Sequence, residues 1–277
     1  MPQIKAAFLS DIHGNTPALE AVLGDVQSNG CGQLFVLGDI INGVDPHGCL
    51  DLLQSWAARQ GVELVAIRGN GEEYTLTPDL DQFPHATESF YPSLILLLMW
   101  IKARLSHADL AWLHSLPELI IRGDSLMVHD SPVARLAPTV QSGVDPRYKA
   151  IMNHYESVMP DIHGDTLEKL LSLLEVRGLR SSFSGHSHVP FIRRVGSKLI
   201  CNAGSVGMPL DGDWRPSWVL LAGESLELRR VTYDLQSIFA LIDEAEDYPD
   251  FAPPGMREAY KQGLAHGLYQ MQFFKEK

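Results

Sequence analysis

The chain has 277 residues, 45% of them hydrophobic and 20% charged, the make-up of a folded globular protein and not of a collagenous, repetitive or disordered one. Its formal net charge of −12 sets an acidic surface against polyanions, so neither stable nucleic-acid binding nor attachment to an anionic membrane is expected. Cys31, Cys49 and Cys201 are widely spaced and include no CxxC pair, which excludes a disulfide framework and a zinc knuckle.

The first residues run straight into a strand and leave no room for a signal peptide. The longest apolar run, Leu94 to Ile101, is far shorter than the ~20 residues a membrane span needs. A cytoplasmic protein is expected. Residues 4–10 read as a buried strand. Pro17 is a first helical position, capped by Thr16 or Asn15, and the helix continues to Gln27. A second strand at 33–37, a helix from Asp45-Pro46 to about Arg59 and a third strand at 62–67 complete a β-α-β-α-β series. Residues 75–92 are proline-punctuated, Leu94–Leu105 and Asp109–Leu116 read as helices, and 118–121 and 125–128 as strands.

The stretch 131–164 is irregular and too long for a plain connection, which points to a lid. A helix follows at Asp165–Glu175 with Asp165 as its cap. Strands at 180–184, 191–195 and 198–202, a hairpin near Trp218–Tyr233 turned at Gly223, and an amphipathic helix within 256–274 close the chain. The expected organisation is one domain over 1–277, with insertions at about 75–116 and 131–164 forming a cap or lid. Strands recurring late in the chain imply a second sheet packed on the first.

The polar residues sit where strands end. Asp11-Ile-His13 follows the first strand, Gly38-Asp39 the second and Gly69-Asn70 the third. His129 follows Leu126-Met127-Val128, and Gly185-His186-Ser187-His188 follows Ser181-Ser182-Phe183. Sites in open α/β sheets form outside the carboxyl ends of strands, so five segments are expected to converge on one rim. Two Asp, one Asn and four His make a mixed oxygen and nitrogen set. It suits Mn, Fe, Zn, Co or Ni and suits calcium poorly. Seven donors are too many for one ion and about right for two, held about 3.5–4 Å apart with a carboxylate such as Asp39 between them.

The order Asp-x-His, Gly-Asp, Gly-Asn, His, Gly-His-x-His resembles the calcineurin-like metallophosphoesterases. Asn202-Ala-Gly-Ser205-Val-Gly-Met-Pro209 extends the likeness to a bacterial branch that includes small phosphodiesterases. The resemblance implies a four-layer α-β-β-α sandwich of two mixed sheets flanked by helices. It assigns Asp11, His13 and His188 to one divalent ion and Asn70, His129 and His186 to another, with Asp39 bridging. Asp39, Asn70 and His129 are then the catalytic group, and a hydroxide shared by the two ions is the implied nucleophile. Many family members carry Gly-Asn-His, whose His is proposed to protonate the leaving group; here that place is Gly71. Glu72 and Glu73 are candidates to replace it by position alone.

Each signal has a plainer reading. Asp11-x-His13, Gly38-Asp39 and Gly69-Asn70 taken singly are turn or cap signals. Asp161-Ile-His163-Gly-Asp165 nearly repeats the first motif, but no strand precedes it, and a loop ending in a helix cap is the preferred reading. His47, His85, His107, His114, His154 and His266 have no ligand-like context. Arg147, Tyr148 and Lys149 in the lid read first as solvated, with Arg147, Glu72, Asn202 and Ser205 kept as candidate substrate contacts. The apolar helix around Trp100 and Phe273-Phe274 read as core or as a contact between copies of the chain. The expected function is phosphoester hydrolysis, as phosphodiesterase or phosphatase, on a small phosphorylated substrate of nucleotide type. The alternatives are a catalytically silent scaffold of the same fold, a protein phosphatase, and a mononuclear metal-binding regulator.

Overall fold

Three parallel strands set the frame: Lys5–Leu9 (β1), Cys31–Val36 (β2) and Glu63–Ala66 (β3). They are joined by Thr16–Ser28 (α1) and Pro46–Gln60 (α2) in a computed structural model that describes residues 4–77, 91–130, 164–248 and 255–267. Both helices begin with a proline in the first turn behind a capping Asx side chain. Asn15 accepts from Ala18 N at 3.1 Å, and Asp45 accepts from Gly48 N at 3.0 Å. Of the two caps expected for α1, Asn15 takes the role. Thr16 instead donates from Oγ1 to Asp45, tying the two helix starts together.

Asn70–Leu76 (α3) follows β3 directly. Tyr91–Lys102 (α4) and His107–Ser115 (α5) come next, and both contact α3. Then come Leu119–Arg122 (β4), Ser125–Val128 (β5), Gly164–Val176 (α6), Ser181–Ser184 (β6), Phe191–Val195 (β7) and Lys198–Asn202 (β8). Ser217–Ala222 (β9), Ser225–Arg230 (β10), Leu235–Glu244 (α7) and Met256–His266 (α8) finish the described chain.

The strands form two mixed sheets. The first has the order β10-β9-β1-β2-β3 and the second β4-β5-β6-β8-β7. In the first, β9 runs antiparallel to β1. In the second, β5, β6 and β8 are parallel and flanked by antiparallel β4 and β7. Three apolar clusters separate the layers. One lies between the first sheet and α1, α2 and α7, and includes Leu19, Leu50, Trp218 and Ile238. One lies between the sheets, and includes Phe8, Phe35, Met127, Phe183 and Val219. One lies between the second sheet and α6, and includes Leu126, Leu174 and Ile200. This is the four-layer α-β-β-α sandwich expected.

Between the sheets Phe8 lies parallel to two rings, with centroids 4.8 Å from Phe35 and 4.1 Å from Phe183. Phe8 and Phe35 come from the first sheet and Phe183 from the second.

Some boundaries differ from expectation for local reasons. The helix expected from Asp109 starts at His107 because Ser106 and Asp109 form a reciprocal cap, Ser106 Oγ accepting from Asp109 N at 3.1 Å and Asp109 Oδ2 from Ser106 N at 2.8 Å. The helix α6 starts at Gly164, which places the expected cap Asp165 inside its first turn. The hairpin turns at Gly223, whose φ of +66° is the left-handed conformation glycine takes freely. The described part of the expected 75–116 insertion is helical. Residues 131–163 of the expected lid, with Arg147, His154, Asp161 and His163, lie outside the described residues, as does His85. No helix among the described residues is long and apolar enough to cross a membrane.

Replacing Phe8 with Ala removes one ring from the centre of this stack and is expected to cost about 3–5 kcal/mol in urea unfolding. A loss below about 1 kcal/mol would show that the sheets do not depend on it.

Candidate functional site

The carboxyl ends of β1, β2, β3, β5 and β6 meet at one rim, and the backbone there is strained. Asp11, His13, Asp39, His186 and His188 all have positive φ, between 48° and 64°. Side-chain-bearing residues rarely take this conformation, and each such residue costs about 1–3 kcal/mol unless its surroundings enforce it. Among the described residues a single further non-glycine, Asp247, shares it.

Hydrogen bonds between the loops do the enforcing. Asp11 N donates to Gly38 O at 3.1 Å, His13 N to Asp39 O at 3.0 Å and Gly14 N to Ile40 O at 2.9 Å. The loop after β8 closes from the other side, with Gly207 N at 2.9 Å and Ser205 Oγ at 2.7 Å from Asp11 O.

The side chains gather in two groups. The donor atoms of Asp11, His13 and His188 lie within 4.8 Å of one another, and so do those of Asp39, His129 and His186. Asn70 joins the second group through Oδ1, 3.1 Å from His129 Nε2. All seven residues expected from the sequence are therefore brought together. Asp39 faces both groups, with Oδ1 3.4 Å from His129 Nε2 and Oδ2 3.9 Å from His13 Nε2. Gly71 N fixes it by donating to Oδ1 at 2.7 Å.

The imidazoles are oriented from behind. The Nδ1 atoms of His13, His129 and His188 sit 3.3, 2.7 and 2.6 Å from the carbonyl oxygens of Asn42, Leu37 and Met208. A carbonyl only accepts, so each Nδ1 carries a hydrogen and each Nε2 is turned inward. In the neutral rings His13 Nε2 and His188 Nε2, 3.1 Å apart, then face each other lone pair to lone pair. Asp11 Oδ1 is sealed from solvent with no hydrogen-bond donor, 3.2 Å from His188 Nε2, 3.6 Å from His13 Nε2 and 4.0 Å from His129 Nε2. Its other oxygen accepts from His186 N at 2.8 Å. Inward-facing acceptors without donors are the arrangement a cation satisfies.

The charges are strongly coupled. Burial opposes ionisation of His129, yet the carboxylates of Asp39 and Asp11 outweigh it and push its pKa up to about 10. Burial likewise works against the Asp39 carboxylate, and His129 and His13 overcome it, holding its pKa down to about 2.

Three residues expected to touch substrate do something else. Glu72 is fully buried. Its two oxygens accept from the backbone N–H groups of Asp39 at 2.9 Å, Ile40 at 2.7 Å, Ile41 at 3.3 Å and Gly69 at 2.8 Å. It binds the β2 loop to the start of α3 and is a positioning residue. Asn202 donates to Gly185 O at 2.6 Å and accepts from Gly204 N at 2.8 Å. Ser205 donates to Asp11 O at 2.7 Å and accepts from Met208 N at 2.8 Å. Both are buried and occupied by backbone, so they shape the rim and leave nothing free for phosphate. The sequence reading missed this role; the one local signal for it is an acidic residue three positions after Gly69, the spacing at which a carboxylate turns back to the backbone N–H at a helix start. His47, expected outside the site, pairs with Asp109 at 2.8 Å.

A family model described as the calcineurin-like phosphoesterase superfamily domain matches residues 4–224. An uncharacterized protein of Methanocaldococcus jannaschii is 28% identical over 258 residues, covering 85% of this chain and 90% of that protein. A crystal structure of a metallophosphoesterase from Sphaerobacter thermophilus is similar with a TM-score of 0.63 at 24% identity, covering 96% of this chain and 99% of that one. A hypothetical protein from Pyrococcus horikoshii is similar with a TM-score of 0.67 at 18% identity, again over 96% of this chain and 99% of the other. Both structures share the fold described above.

Glu72→Gln sets an amide N–H2 among four backbone donors and is expected to lower unfolding stability by about 2 kcal/mol or more. An unchanged urea midpoint would show that the carboxylate is not the anchor. In chelated protein the charge on His129 contributes stability that is complete below its unfolded pKa of 6.5 and lost as pH rises through about 10. The melting temperature of the chelated protein should therefore fall across that interval, and His129→Gln should flatten the fall. Equal slopes in the two proteins would refute the assignment.

Proposed function

This chain belongs to the calcineurin-like phosphoesterase superfamily, and from that premise we propose that it is a metal-dependent phosphoester hydrolase with a dinuclear centre. Asp11, His13 and His188 would hold one divalent transition-metal ion and Asn70, His129 and His186 a second, with Asp39 shared. The observation that carries this reading is the donorless Asp11 Oδ1 facing three imidazole nitrogens, beside the opposed Nε2 atoms of His13 and His188. That set of oxygen and nitrogen donors fits Mn, Fe, Zn, Co or Ni. When bound, such ions polarise phosphoryl oxygens and lower the pKa of water enough to make a nucleophile at neutral pH.

The chain's own residues hold this chemistry in place. The carbonyl oxygens of Asn42, Leu37 and Met208 fix the tautomers of three ligand histidines. Gly71 N and the four donors around Glu72 fix Asp39, so its two oxygens stay turned to opposite groups. The substrate we propose is a small phosphorylated compound of nucleotide type. A chain carrying a net charge of −12 disfavours long polyanions, while two bound cations make one pocket positive.

Metal-loaded protein should hydrolyse p-nitrophenyl phosphate or bis-p-nitrophenyl phosphate, lose the activity on chelation and regain it with Mn²⁺. Asp39→Asn should keep the fold by circular dichroism and lower turnover more than about a hundredfold. Full activity in that variant, or activity indifferent to chelator, would sink the reading. Bound metal near one ion per chain would refute the dinuclear centre in favour of a mononuclear one.

A further inference from the structure

Asn42 lies in the loop after β2, and its backbone carbonyl accepts from His13 Nδ1 at 3.3 Å. Its side chain is placed by an unusual vacancy across the loop. A Cβ built on Gly71 would stand 1.7 Å from Asn42 Oδ1, 2.3 Å from its Cγ and 2.6 Å from its Nδ2. The amide therefore fills the space that any side chain at position 71 would need, directly beside the residue whose N–H holds Asp39 Oδ1 at 2.7 Å. The residue thus meets His13 of one ligand group through its backbone, and its side chain lies beside Gly71, whose N–H holds Asp39 of the other.

The amide is poorly satisfied there. Asn42 Oδ1 is sealed from solvent with no hydrogen-bond partner. Leaving such an atom unpaired is costly, and a folded chain that tolerates it usually does so for a reason other than stability. The residue as a whole is only half-buried. Oδ1 is the sealed atom of this amide and Nδ2 is not, so the group that can meet a ligand is the one carrying two N–H donors. Donors aimed where phosphoryl oxygens gather charge are the groups that help an anionic ligand bind.

We infer that Asn42 is a substrate-positioning residue whose Nδ2 donates to a phosphoryl oxygen, and that glycine at position 71 is required because the amide occupies its side-chain space. The inference rests on the phosphoester-hydrolase reading above. The ligand class is any tetrahedral oxyanion carrying the phosphoryl group, substrate or product.

Orthophosphate binding to metal-loaded protein, measured by calorimetry, tests it without requiring turnover. Asn42→Ala should weaken orthophosphate about tenfold, the size of one hydrogen bond to a charged acceptor. Asn42→Asp, which exchanges two donors for a negative charge, should weaken it further. Gly71→Ala should push the amide aside and weaken phosphate similarly. In the Asn42→Ala background Gly71→Ala should have little added effect, because the space is then free. Metal content should stay at the wild-type level in Asn42→Ala, whose backbone carbonyl still holds His13.

Unchanged phosphate affinity in Asn42→Ala would overturn the inference, as would fully additive effects of the two substitutions. Loss of metal in Asn42→Ala would also overturn it, by showing that the residue acts on His13 and not on the ligand. Absence of chelator-sensitive hydrolysis in the wild type would instead count against the hydrolase reading, while the phosphate measurement still decides the role of Asn42.

Discussion

Two carboxylates with almost no access to water govern this structure. Asp11 and Asp39 are buried at a point where an isolated anion would be very expensive, so the fold has to bring compensating groups to them. It does so with imidazoles, and those of His13, His129 and His188 are each held from behind by a backbone carbonyl. The five left-handed residues at the rim follow from the same need. A strand that continued in extended geometry would carry its last side chain past the site, and a left-handed residue turns it inward. The hydrogen bonds between the β1, β2 and β8 loops keep those turns in place, and Glu72 gathers four backbone N–H groups to hold the loop that carries Asp39.

The structure divides its residues between those that face inward as acceptors and those that fix them. Asn202 and Ser205 are the plainest case. Their side chains have the chemistry to meet a phosphate, but backbone groups occupy them. Their work is to lock the β8 loop onto Asp11 and Gly185, and so to define the rim. Glu72 shows the same division within three residues of Asn70.

Much of the fold was legible in the sequence. Apolar runs ending in Asp, His, Gly-Asp and Gly-Asn mark strands that stop where polar groups are needed. That pattern identified β1, β2, β3, β5 and β6 and all seven residues that converge. Proline behind Asn15 and Asp45 marked two helix starts for a local reason, the cap. What was not legible depends on direction in space. Glu72 follows Asn70 by two positions, and no periodicity says that its carboxylate turns back under the β2 loop. The short helix α3 was hidden because Gly69-Asn70-Gly71 reads as a turn, while the Glu72 carboxylate that stabilises its start takes three of its four partners, Asp39, Ile40 and Ile41, from the distant β2 loop. The occupation of Asn202 and Ser205 is likewise set by tertiary contacts with the β1 and β6 loops.

The two sheets contribute unequally to the site. Asp11, His13, Asp39 and Asn70 come from the first sheet, and His129, His186 and His188 from the second. Each ligand group draws from both. A cation held by either group would therefore add a cross-link between two layers otherwise joined by the apolar seam around Phe8 and by the hydrogen bonds at the rim. In polymer terms a cation at the first group would close a loop from just past the chain's first strand to just past its sixth, more than 170 residues along the sequence from Asp11 to His188. The greatest gain from such a closure lies in restricting the unfolded chain, as a disulfide between the same sheets would do, though with a joint that a chelator can open.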